Sequence, residues 1–117
     1  MPGKVSSSYA FQGSEKPLIG KTIGEMFDEI AVKYPDNDAI VSIHQNIRLT
    51  YRELEDAVRR TAKGFIGIGL KKGDRLAIWA TNIAEWIITQ IASAKVGIIM
   101  VNINPSYRTH ELEYALR

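Results

Sequence analysis

RLAIWATNIAEWIITQIASAKVGIIMVNINP, residues 75–105, sets short apolar runs against a longer helical pattern, and that arrangement decides the fold class. Arg75–Ala80 is a nearly continuous apolar run, the pattern of a strand covered on both faces. Gly97–Val101 is a second such run, ended by Asn102-Ile103-Asn104-Pro105. Between them, Ile83, Trp86, Ile87, Gln90, Ile91 and Ala94 mark one face of a helix that Asn82 is placed to cap. Ile88, Ala92 and Val96 make the other side apolar too, so this helix is expected to be buried around most of its circumference. Strand, helix, strand in this order predicts a parallel pair with a right-handed crossover, inside a layered α/β sheet. Trp79 and Trp86 read as core residues of that strand and helix, with the lining of a ligand cavity as the other reading.

Immediately upstream, Thr50 and Glu53 form a capping box, in which a hydroxyl and a carboxylate each satisfy an early backbone N–H. The helix it opens turns Leu54, Ala57, Val58, Phe65 and Ile66 inward and mixed charges outward. Gly69 stands where a left-handed closing residue is wanted, with Leu70 beyond it to pack back. Lys71-Lys72-Gly73-Asp74 predicts a tight turn. Ala39–Ile43 and Ile47–Tyr51 read as the two strands of a hairpin with His44-Gln45-Asn46 at its tip. Asp36-Asn37-Asp38 begins like a calcium loop, but the rest of that pattern is missing, and it reads as a turn. A second capping box, Thr22 with Glu25, opens a helix whose inward stripe is Ile23, Met26, Phe27, Ile30, Ala31 and Tyr34, closed by Pro35.

At the two ends the pattern is looser. Residues 1–19, rich in Ser, Gly, Pro and Lys, read as an extended arm with Tyr9, Phe11, Leu18 and Ile19 as anchors; on composition a disordered tail is equally open. At the other end Thr109 is placed to cap a helix that runs to Arg117 without a stop signal. The expected fold is therefore α/β: helices layered on a mixed, mainly parallel sheet with an N-terminal β-hairpin. The open last helix and the all-round apolar helix predict that residues 20–117 are the N-terminal part of a larger domain, truncated at its C-terminus.

Composition narrows the function classes. A net charge of +2, from 15 basic and 13 acidic residues, argues against nucleic acid as a partner. Charges of both signs alternate through Glu53, Glu55, Asp56, Arg59, Arg60 and Lys63, as on a solvated helix face. The sequence has no cysteine, which removes disulfides and thiolate nucleophiles. No apolar run approaches membrane-spanning length, so no transmembrane segment is expected. The first residues carry neither an apolar signal core nor transit-peptide arginines, and the cytoplasm is the expected location.

The sequence contains neither a GxSxG nucleophile elbow nor a phosphate loop ending in Gly-Lys-Ser/Thr. His44 and His110 are far apart with no partner at ligand spacing, so no metal site is expected. Gly64, Gly67 and Gly69 close a helix, whereas a dinucleotide fingerprint must open one. One place remains. Ligands of open α/β sheets bind beyond the carboxyl ends of the strands, where Asn102, Asn104, Ser106, Tyr107 and Arg108 supply polar groups. The competing reading is that these residues only shape the turn.

Leu49-Thr50-Tyr51 with Glu53-Leu54, Gly73-Asp74-Arg75, Asn82 with Glu85-Trp86, and Asn104-Pro105 followed by Glu111-Leu112 form an ordered set. Upstream it continues in Ser8-Tyr9, Pro17-Leu18 and Thr22-Ile23-Gly24-Glu25. The set resembles the N-terminal subdomain of the adenylate-forming superfamily and is most similar to its medium-chain fatty acyl-CoA synthetases. The resemblance implies a parent AMP-forming acid–thiol ligase that joins a fatty acid to ATP as an acyl-adenylate and passes the acyl group to coenzyme A. ATP, CoA and Mg2+ are implied for that parent, and none is expected on this chain alone, which is expected to be inactive. The family's phosphate loop, magnesium-coordinating glutamate, ribose-binding aspartate and catalytic lysine lie downstream of Arg117, so no catalytic residue is carried over. In some members a basic residue directly after the Asn-Pro pair approaches a CoA phosphate. This sequence departs from that pattern with Ser106, which makes Arg108, the nearest cation, the candidate. Two alternatives stand beside this reading: an adenylation module that loads a carrier protein, and a small non-enzymatic α/β interaction domain. An oligomer is left open.

Overall fold

Both capping boxes form, and each starts a helix. The computed structural model describes Gly13, Glu15, Lys16 and residues 18–117; most of the expected arm, with Tyr9 and Phe11, lies outside the described residues. At Thr22 the hydroxyl accepts from the Glu25 N–H at 3.2 Å, and the Glu25 carboxylate accepts from the Thr22 N–H at 2.8 Å, opening α1 (Ile23–Lys33). Thr50 and Glu53 repeat this at 3.3 and 2.8 Å and open α2 (Tyr51–Gly67). Pro35 ends α1 as expected, leaving Tyr34 at a non-helical φ of −131°. At the end of α2, Gly69 has φ 94°, its N–H donates to Ile66, and the Leu70 N–H reaches back to Phe65. That is a complete Schellman closure, legible from Gly69 and Leu70 alone.

Between the two helices, β1 (Asp38–Ser42) and β2 (Ile47–Thr50) pair antiparallel, with Ile40 opposite Leu49 and Ser42 opposite Ile47. Tyr51, expected to end the hairpin, is instead the first helical residue, because the Thr50 cap takes precedence over strand propensity. After the turn at 71–74, β3 (Arg75–Trp79), α3 (Ala84–Val96) and β4 (Ile99–Ile103) form the expected unit, β3 parallel to β4. A final helix, α4, covers Thr109–Leu116. The α/β class and the N-terminal hairpin are as expected. In detail, the described strands form two separate two-stranded sheets rather than one mixed sheet.

The core lies among helices. Phe27 and Ala31 of α1, Leu54, Val58 and Ala62 of α2, and Ala92 of α3 form one buried cluster, with Val58 and Ala92 fully buried. Alanines at Ala31, Ala62 and Ala92 let the helices approach closely around the larger Phe27, Leu54 and Val58. Fully burying a valine such as Val58 contributes about 1.5–3 kcal/mol. From Ile88 to Ile98 no residue is exposed, so α3 is shielded almost all round, as its sequence predicts.

Several expectations need correction. Ile23 is 61% exposed, because α1 docks through Gly24, where an added Cβ would lie 3.1 Å from Lys95 Cγ. Tyr34 and Ile66, at the last turns of their helices, are exposed as well, whereas Ala62, not foreseen, is buried. Within this chain β3 is covered on one face only: Leu76 and Ile78 are half-buried, while Ala77 and Trp79 are exposed. β4 starts two residues later than expected because Gly97, at φ 75°, is the left-handed C-cap of α3 and cannot belong to a strand. Asn102 and Ile103 consequently lie inside β4, and Ile103 is buried. Asn82 does not cap α3. The N-cap is Ile83, with no side-chain cap of its own, and the Ala84 N–H is instead satisfied from the hairpin tip by Gln45 Oε1 at 2.8 Å. Thr109 is the first helical residue of α4, and Arg108 is its N-cap.

Candidate functional site

β3 and β4 run in register from Arg75–Ile99 to Trp79–Ile103, so their carboxyl ends finish together. Asn104–Arg108 follows directly and occupies the position where the general rule for open α/β sheets puts ligands. Asn104 organises this loop. Its side-chain oxygen accepts from the Ser106 N–H at 3.0 Å, and its carbonyl accepts from the Tyr107 N–H at 3.0 Å. The same carbonyl accepts the Trp79 indole N–H at 3.1 Å. Pro105, with φ fixed and no N–H to leave unsatisfied, suits the bend. The turn-shaping reading is thus correct for Asn104 and Pro105. It does not account for Arg108, whose side chain plays no part in the turn.

Arg108 is exposed and extended at φ −100°, ψ −174°. Its backbone N–H donates to the Glu111 carboxylate at 3.1 Å, half of a capping box; the other half cannot form, because a guanidinium has no acceptor. Among the described residues no carboxylate forms an ion pair with that guanidinium. Beside it, Tyr107, His110, Glu111 and Tyr114 line a shallow depression of about 240 Å³. A planar, unpaired cation on a sheet's carboxyl edge is suited to a phosphate, which it can hold with two parallel hydrogen bonds. Of the polar residues singled out from sequence, Asn104, Ser106, Tyr107 and Arg108 come together in this loop, whereas Asn102 is an exposed strand residue.

Elsewhere the chemistry is structural. Among the described residues no group of three His, Cys, Asp or Glu side chains is placed to hold a metal ion. Three carboxylates, Glu25, Glu53 and Glu85, are held below the usual range: the first two mainly by the backbone N–H of Thr22 and Thr50, the third mainly by the Gln45 side chain. Each secures a helix start or a docked hairpin. Trp86 does line a concavity, a largely apolar groove of about 480 Å³ between Ile40, Val41 and Ile43 of the hairpin side and Ile83 and Ile87. No Asp, Glu, Lys or Arg among the described residues lines that groove. Sequence reasoning missed Trp79 as a loop anchor and Gln45 as a helix cap. Both act across long separations, and no local spacing announces them.

Comparison with known proteins agrees with the family resemblance read from the sequence. The model of a family described as "AMP-binding enzyme" matches residues 27–117. A rat relative, the mitochondrial medium-chain acyl-CoA ligase ACSF2, is 46% identical over 110 residues, covering 94% of this chain and 18% of the relative. The putative acyl-CoA synthetase YngI of Bacillus subtilis is 47% identical over 100 residues, 86% of this chain and 18% of the relative. Among solved structures, an artificially fused adenylation–PCP di-domain, NpsA-ThdA from Klebsiella oxytoca, superposes with a TM-score of 0.77 at 30% identity. That alignment covers 82% of this chain and 18% of the other. The chain therefore spans less than a fifth of the length of the relatives it matches. No described helix is long and apolar enough to cross a membrane.

Proposed function

The chain belongs to the AMP-binding enzyme family, and from that premise we propose that it is the opening α/β segment of a longer AMP-forming fatty acid–CoA ligase. The parent enzyme takes a medium-chain fatty acid and ATP to an acyl-adenylate with release of pyrophosphate. It then transfers the acyl group to the sulfur of CoA with release of AMP. The observation that carries this reading is the 46% identity to a medium-chain acyl-CoA ligase across 94% of the chain. The reading leaves the acid, the adenylate and Mg2+ to residues outside this chain. What these residues contribute is the packed helical body and, at its sheet edge, Arg108, which we assign to a phosphate of CoA. The exposed guanidinium and its unpaired state fit an anion there. The cytoplasm is part of the same reading and is checked by cell fractionation, since the rat relative's name places it in mitochondria.

The experiment uses the full-length protein and separates the two half-reactions. With medium-chain acids it should exchange pyrophosphate into ATP and form acyl-CoA. Acyl loading of a carrier protein in place of CoA would instead favour an adenylation module, the relationship suggested by the Klebsiella di-domain. Arg108→Ala should raise KM for CoA about tenfold or more, through the loss of charge-assisted hydrogen bonding. Equal damage to adenylate formation would make Arg108 a structural residue.

A further inference from the structure

We propose that Trp79 is a positioning residue for the CoA-binding loop, an inference that rests on the reading of Arg108 given above. Trp79 ends β3, and its indole N–H reaches across to the carbonyl of Asn104, 25 residues later in the chain. That carbonyl also accepts the Tyr107 N–H, so both its lone pairs are engaged and its direction is fixed by two donors. Beyond the ladder of the parallel pair, the indole bond is the one hydrogen bond that ties residues 104–117 to the rest of the described chain. Within this chain α4 has no buried residue, so packing against the described residues does little to replace it. Arg108 stands four residues past Asn104, at the start of that unburied helix, and inherits its orientation from the anchored turn.

Trp79 is 50% exposed within this chain, and its indole N–H, a donor only, is engaged by the Asn104 carbonyl. Its apolar ring and polar N–H are divided between two tasks: the ring lies at the sheet's edge, and the N–H holds the loop. Without the donor, the loop and the guanidinium sample more arrangements in the free enzyme. CoA must then order them on binding, which weakens its binding without removing any group that touches it.

The test is a double-mutant cycle in the full-length enzyme. Trp79→Phe keeps an aromatic ring and deletes the donor. It should raise KM for CoA about fivefold, the equivalent of one neutral hydrogen bond, with a clearly smaller change in KM for ATP. Because Trp79 acts through Arg108, Trp79→Phe combined with Arg108→Ala should match Arg108→Ala alone. Three results overturn the inference while leaving Arg108 in place: an unmoved KM for CoA in Trp79→Phe, equal rises in KM for ATP and CoA, or effects that multiply in the double variant. A KM for CoA unmoved by Arg108→Ala overturns both readings. If Trp79→Phe does not fold, Trp79→Leu, which also lacks the donor, is scored by the same cycle.

Discussion

The helical body and the parallel pair are stabilised in different ways. α1, α2 and α3 close around Phe27, Leu54, Val58 and Ala92, and both α1 and α2 begin with a complete capping box. An ion pair between Lys95 of α3 and Asp28 of α1, with the Lys95 ammonium 5.9 Å from the Phe27 ring centre, reinforces the contact between those helices. In the β3–β4 region, Trp79 and Ile99 are each 50% exposed, and Tyr114 and Leu116 of α4 are left largely uncovered by the described residues. One region keeps its shape by burial. The other keeps its loop in place by a tether, and leaves the polar groups of that loop exposed. Residues that order a loop need not be residues that stabilise the fold.

Leucine truncation gives the sharpest break between the two regions. Leu54→Ala, in the buried cluster, should cost about 2–5 kcal/mol, through lost transfer energy and the cavity left behind. In this 117-residue chain Leu116→Ala should stay within about 0.5 kcal/mol, as expected of exposed sites. Denaturant midpoints of the two variants decide it; similar losses would mean that α4 is packed as tightly as α2.

Two left-handed glycines sharpen the comparison at intermediate size. Gly97, at the junction of α3 and β4, has φ 75°, and a Cβ there would fall 2.8 Å from Lys72 Cγ. Gly97→Ala should therefore exceed the conformational cost of about 1–2 kcal/mol for a left-handed L-residue. Gly69, φ 94°, has open space around its missing Cβ, so Gly69→Ala should cost only that conformational part, about 1–2 kcal/mol. An unfolding series in which Gly69→Ala proves the more damaging would contradict this ranking.

The smallest effect is electrostatic and belongs to the helical body. Glu25 and Glu53 are depressed below their usual value of 4.5 by the backbone N–H and then the hydroxyl of their capping threonines. A carboxylate held lower in the folded than in the unfolded chain contributes stability that is present above its unfolded pKa. That contribution is lost as pH falls through the folded pKa. Stability should therefore decline on acidification below about pH 4.5. Glu53→Gln should show a shallower decline between pH 7 and pH 3, measured by thermal melting. Identical pH profiles would remove the cap as a titrating element.

Much was legible in the sequence wherever a hydrogen bond spans three to five residues. Thr22 with Glu25, Thr50 with Glu53, and Gly69 with Leu70 each specify a helix end through their own spacing, and each forms as expected. The strand–helix–strand order likewise specifies a parallel pair, since only a crossover joins such strands. The family resemblance needed only the ordered residues. For the proposed site, the sequence singled out the loop after β4 and Arg108, but not what holds them. Docking decided the rest. Gln45 caps α3 from 39 residues away, and Trp79 anchors Asn104 from 25. Which of two apolar neighbours is buried, Gly24's side or Ile23's, depended on where Lys95 came to lie. Local spacing fixes what a residue offers its near neighbours. The partner of a side chain facing away from its own element exists only once the helices have packed.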